Sequence, residues 1–205
     1  MFSIIQAAGW PIWPLLICSV LALALIIERL SSLRASRIAP PRLLEEVLGI
    51  SQQSLPNAEL INRLAENSAL GEVLAAGLRA ASNEPDLTED KLRQVFEIAG
   101  RRAIHRMERY LNTLGTIATA APLLGLLGTV VGMIEIFGSQ GPTGNNPTQM
   151  AHGISIALYN TAFGLMVAIP SLMFYRYFRG RVEDRVMEME QASDRLLSHL
   201  KRFLA

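Results

Sequence analysis

The sequence predicts an all-α integral membrane protein with three transmembrane helices and long helical extensions outside the bilayer. Three observations carry that prediction. Met1 to Ile27 contains no charged residue, and Tyr110 to Tyr175 contains only Glu135. Three apolar stretches are each long enough to cross a hydrocarbon core about 30 Å thick. All 19 Lys and Arg fall in two clusters, at 29–109 and 176–202. A water-soluble domain of 205 residues with this 50 % hydrophobic content would spread its charges, because each of its helices needs a wet face. The formal net charge of +1 leaves no electrostatic footprint for nucleic acid, which is not expected as a partner.

The first span runs from about Pro11 to Leu30. Trp10 and Trp13 mark its start, where amphipathic rings suit the headgroup layer. Pro11 and Pro14 fit a first helical turn, where a missing N–H costs least. Glu28 and Arg29 close the span and are expected to reach the far interface. Basic residues follow this segment and none precede it, so it is expected to be a retained anchor, not a cleaved signal peptide. The second span is Thr113 to Phe137 and the third is Gly153 to about Tyr177. Cys18 lies within an apolar run and reads as a small buried hydrophobe, so no disulfide framework is expected within one chain.

An excess of Lys and Arg marks the cytoplasmic side of a membrane. Twelve lie between Arg29 and Arg109 and seven between Arg176 and Arg202. The expected organisation is therefore a periplasmic N-terminus with the first helix over 1–30 and a cytoplasmic helical domain over 31–112. The second helix follows over 113–137, a periplasmic loop over 138–152, the third helix over 153–178 and a cytoplasmic C-terminal helix over 179–205. In the first charged segment, Pro40-Pro41, Pro56 and Pro85 punctuate apolar stripes such as Leu60, Ile61, Leu64, Leu70, Val73, Leu74 and Leu78. Asp86 with Glu89 resembles a capping box. Beyond it Leu92, Phe96, Ala99, Ala103, Met107, Tyr110 and Leu114 form a stripe with no breaker. One continuous helix is expected from about Thr88 to Phe137. In the tail, Val182, Val186, Met189, Ser193, Leu196, Leu200 and Phe203 alternate spacings of four and three, a heptad seam with one polar member. Its alternative is a solvated amphipathic tail.

Residues three and four apart share a helix face. Ala118, Pro122, Gly125, Thr129 and Gly132 form a narrow small-residue stripe in span two, with Gly128 beside it. Gly153, Ala157, Asn160/Thr161, Gly164, Ala168 and Ser171 form one in span three, and Pro170 adjoins it. Small residues let helices approach closely in lipid, so Gly125, Gly128, Gly132, Gly164, Pro122 and Pro170 are assigned to helix packing. Thr129, Thr161, Asn160 and Tyr159 add polar groups, which points to a lined passage; intramembrane Asn also serves as interhelical glue. Glu135 is the one formally charged side chain from Tyr110 to Tyr175. It reads either as a proton-entry group or as an ordinary interfacial carboxylate. His105, His152 and His199 stand far apart, and no phosphate loop or activated nucleophile is present, so no cofactor, no metal and no enzymatic activity are expected.

The stretches PLLGLLGTVVGMIEIF (Pro122 to Phe137) and GISIALYNTAFGLMVAIPS (Gly153 to Ser171) resemble the ExbB/TolQ/MotA proton-channel family, and its ExbB branch most of all. The Glu28-Arg29 pair ending span one and the order of loop sizes fit the same resemblance. It implies a homopentamer in a bacterial inner membrane, surrounding the single helices of an ExbD-like dimer whose aspartate carries the proton. It implies that Thr129 and Thr161 line that pore, and that a TonB-like protein passes the motion to outer-membrane transporters. One position departs from the pattern. Many ExbB and TolQ chains carry glutamate five residues before the span-three threonine, where this chain has Ile156. Any mid-membrane carboxylate would then come from the partner. A TolQ-like or other energised motor, or a non-conducting oligomeric scaffold, are the alternatives.

Overall fold

The computed structural model describes residues 9–52, 54–84, 86–138 and 147–203. Every regular element among them is helical: α1 Ile12–Ser32, α2 Ala35–Ile38, α3 Leu43–Ile50, α4 Ala58–Asn67, α5 Ala69–Asn83, α6 Glu89–Glu108, α7 Leu111–Gly138 and α8 Pro147–Leu200, followed by a 3-10 turn over Lys201–Phe203. Three of these stretches are long and apolar enough to span a bilayer: α1, the α6–α7 run through its α7 part, and the first half of α8. The protein is an all-α membrane protein with three spanning helices. Pro85 and the 139–146 part of the expected periplasmic loop lie outside the described residues.

The chain divides into two units. The span unit holds the described residues up to Arg29 together with Tyr110–Tyr177; the second unit holds Leu30–Arg109 and the described residues from Phe178. In the span unit, α1 buries Ile12, Leu15, Ala22 and Ile26 and leaves Ile17, Val20, Leu23 and Ile27 exposed. An apolar outer surface suits a helix whose solvent is hydrocarbon. Trp10 and Trp13 are 58 % and 62 % exposed at its start. Arg29, near the end of this span, is covered by protein. It is 3 % exposed, its Nε donates to Glu28 Oε2 at 2.6 Å, and its guanidinium lies 4.8 Å from the Tyr110 ring centroid.

Tyr110 marks a difference from the sequence reading. The single helix expected from Thr88 to Phe137 is interrupted at Arg109 and Tyr110. The interruption is shallow: Arg109 keeps helical angles (φ −46°, ψ −41°), and Leu114 N–H donates to Tyr110 O at 3.2 Å. Neither proline nor glycine causes it. The packing of Arg29 over Tyr110 is the contact found at this point.

In the second unit the caps are local and polar. Asn57 Oδ1 accepts from Leu60 N–H at 2.9 Å, and Ser68 Oγ accepts from Gly71 N–H at 3.0 Å. The cap of α6 is Thr88, whose hydroxyl accepts from Lys91 N–H at 3.4 Å. That corrects the expected Asp86–Glu89 box: Asp86 is exposed in the turn before, and Glu89 is the first residue of the helix. The core forms where Leu70, Val73, Leu74 and Leu78 of α5 and Leu92, Phe96, Ala99 and Ala103 of α6 become buried. The heptad seam of the tail is covered too, with Val182, Met189, Leu196 and Leu200 buried. Lys201 Nζ closes this region on Glu89 Oε1 at 2.9 Å.

Candidate functional site

The two small-residue stripes meet. Along α7 and α8 the contacts pair Gly115 with Tyr175, Gly125 with Asn160 to Gly164, Gly128 with Asn160, and Gly132 with Ala157. Numbers rise on one helix as they fall on the other, so the helices are antiparallel. A Cβ on Gly125 would stand 2.8 Å from Asn160 O, and one on Gly164 would stand 2.6 Å from Ala121 O. The two backbones are in direct contact, which only glycine at these positions permits. Gly128 is covered by the Asn160 side chain, 2.7 Å from where its Cβ would be. Asn160 is 1 % exposed, an interior residue of this seam. Pro122 is half-buried within α7, whereas Pro170 is exposed on α8 and does not pack in the seam of the protomer.

Hydroxyls flank the seam. Thr161 Oγ1 donates across it to Gly125 O at 3.3 Å, and Thr129 Oγ1 donates within its own helix to Leu126 O at 2.7 Å. With 3.6 residues per turn, Thr129 and Thr161 each sit about 70° from the line along which the helices face one another. For antiparallel neighbours these rotations open to the same side. Both threonines therefore border one flank, and both are half-buried. Each hydroxyl has spent its proton on a carbonyl and keeps oxygen lone pairs that accept a hydrogen bond. The structure does not bring the other two candidates to them. Tyr159 is 46 % exposed, and it and Glu135 rotate toward the opposite flank. Glu135 is three residues from the end of α7, near the boundary of the span, where a carboxylate costs far less than the roughly 2.5–3.5 kcal/mol of the bilayer centre. Position 156 is helical, and its side chain lies outside the described residues.

The seam extends further than its motifs. Gly115 lies against the Tyr175 ring, one step below Ala118 in the same stripe, and a longer count of the small-residue spacing finds it. Ser171, by contrast, is buried and bonds Val167 O at 2.7 Å within α8, a local use of its hydroxyl.

The sequence profile of the MotA/TolQ/ExbB proton channel family matches residues 65–191, which covers α7 and all but the last nine residues of α8. The chain belongs to this family. It is 34 % identical over 172 residues to an ExbB biopolymer transport protein of Vibrio cholerae, covering 82 % of this chain and 74 % of that one. An ExbB homolog of Methanothermobacter thermautotrophicus is 31 % identical over 169 residues, 80 % of this chain. The match spans 57 % of that longer relative. Among solved structures, the flagellar MotAB stator complex of Bacillus subtilis aligns with a TM-score of 0.51 at 20 % identity, over 88 % of this chain and 77 % of that one. At that identity the likeness concerns the fold.

Proposed function

We propose that the chain is the proton-channel subunit of an ExbB–ExbD–TonB-type complex of a bacterial inner membrane, where proton flow energises outer-membrane transport. Five copies would surround the spanning helices of an ExbD-like dimer, whose aspartate carries the proton, and a TonB-like protein would receive the motion. The observation that carries this reading is the shared flank of Thr129 and Thr161 along a seam without carboxylates in its middle. A partner helix bringing a protonated aspartate to that flank meets two oxygen acceptors. Each would hold the proton at a low cost without competing for it as a second carboxylate would. The Lys and Arg clusters favour a periplasmic N-terminus and a cytoplasmic C-terminus. A cysteine at the exposed Ser198 should then be labelled by a membrane-impermeant reagent only from the cytoplasmic side.

The family includes TolQ and MotA, which keeps a TolQ-like motor as the second reading, and Ile156, where many ExbB and TolQ chains carry glutamate, leaves room for another energised motor. The deciding experiment is proton flux through the reconstituted complex with its partner. Thr→Val keeps the side-chain outline and removes the hydroxyl. Loss of a hydrogen bond to a buried carboxylic acid costs on the order of 1–3 kcal/mol, so the Thr129→Val/Thr161→Val protein should pass protons roughly ten- to hundredfold more slowly. Normal flux in a fully assembled double variant overturns the pore assignment. No flux in the wild-type complex would leave a scaffold as the better description.

A further inference from the structure

The second unit contains a cavity of about 220 Å³ that the channel reading does not use, lined by Ser32, Leu33, Arg37, Ile38, Arg106 and Met107 together with Ala69 and Ala103. Its floor is apolar, since Leu33, Ile38, Ala103 and Met107 are all buried. Arg37 and Arg106 are exposed beside it. Arg106 is held by an ion pair with Glu72, which leaves other guanidinium N–H groups for a second acceptor. Arg37 has no ion pair recorded among the described residues. Position along the chain gives the cavity its surroundings. Ser32 is the last residue of the spanning helix α1, and Met107 precedes α7 by four residues. Most of the cavity is thus built from residues next to the ends of two candidate spans. The two stretches that supply most of it, 30–38 and 101–109, contain six arginines and one carboxylate, Glu108.

We infer that this cavity is a binding site for the headgroup of an anionic phospholipid. Two guanidiniums and the Ser32 hydroxyl match a phosphodiester, with Arg suited to bridging its two free oxygens. The buried floor matches the glycerol and first methylenes beneath it. Inorganic phosphate shares the first half of this chemistry and not the second, so the apolar floor selects the lipid. The bound headgroup would join α1, α2 and α6 at the membrane surface.

The test is native mass spectrometry of the purified full-length complex, titrated with phosphatidylglycerol and with phosphatidylcholine of the same acyl chains. Phosphatidylglycerol should be retained in preference to phosphatidylcholine, and Arg37→Gln should weaken its retention roughly fivefold, as expected for one arginine at a membrane surface. Arg37→Lys should keep most of it. Arg63→Gln, on the exposed face of α4, should leave it unchanged. Equal retention of the two lipids, no effect of Arg37→Gln, or an equal effect of Arg63→Gln each overturns the site. Displacement of the lipid by millimolar inorganic phosphate overturns the lipid assignment in favour of a free anion. Arg37 is exposed and has no ion pair among the described residues, so its substitution tests binding without breaking the Glu72–Arg106 pair.

Discussion

In the span unit α7 and α8 meet backbone to backbone through Gly125 and Gly164, while in the second unit α5 and α6 meet through side chains, with the Phe96 ring against Gly77 and with Val73, Leu74 and Leu92 buried. Solvent accounts for the difference. Lipid tails are as apolar as Leu, so two membrane helices gain nothing by hiding large side chains from them, and close packing of small residues holds them together. In water the same large side chains contribute most of the driving force. Even the glycines divide this way. Gly164 receives the backbone of Ala121 and Gly125, whereas Gly77 in α5 receives the ring of Phe96.

The largest effect should come from disrupting the backbone contact. A side chain at Gly164 would begin 2.6 Å from Ala121 O and 3.1 Å from Gly125 Cα, and neither atom can swing aside. Gly164→Leu should therefore abolish the folded, assembled complex, seen as loss of its peak on size exclusion. Leu23→Phe, which adds bulk on the exposed face of α1, should elute as wild type. A normal Gly164→Leu complex would mean that the seam does not hold these helices together.

In the second unit the equivalent lesion is a cavity. Leu74 is 0 % exposed, and Leu74→Ala should cost about 3 kcal/mol. Hydrogen exchange should show it as roughly hundredfold faster exchange of the α5 and α6 amides, at about 1.4 kcal/mol per decade. The amides of α7 between Ala118 and Gly132 should change much less. Equal loosening of both sets would erase the distinction between the two kinds of packing.

What the sequence discloses follows the same division. The spans, the small-residue stripes and the buried faces of α6 and the tail are periodic features, and periodicity along one helix is visible without knowing its neighbour. Features set by a neighbour are not. The interruption at Arg109–Tyr110 sits beside Arg29, eighty residues away, and no local breaker announces it. The partition of the polar candidates is of this kind as well. Tyr159, Asn160 and Thr161 are consecutive, so depth in the membrane groups them. Only the facing direction of α7 separates Thr161 on one flank from the buried Asn160 and the outward Tyr159.

The smallest effect separates two assignments of one helix start. The pattern Asp86–Glu89 has the spacing of a capping box, yet the structure starts α6 at Glu89 and gives its cap to Thr88. An N-cap must have its side-chain oxygen within reach of the amide three residues on. Thr88 meets that condition at Lys91 N–H, although 3.4 Å is long for such a bond. Caps are worth about 0.5–2 kcal/mol, and a long bond belongs at the low end. Thr88→Ala should therefore destabilise by about 0.5 kcal/mol. It should also speed exchange of the Lys91 amide about twofold, the value that 0.5 kcal/mol corresponds to. Thr88→Ser, which keeps the oxygen, should restore protection. Asp86→Ala should leave the Lys91 amide unchanged, because its carboxylate is exposed two residues too early to close the first turn. If Asp86→Ala instead exposes the Glu89 amide and Thr88→Ala leaves Lys91 protected, the capping box is the true start and α6 begins two residues earlier.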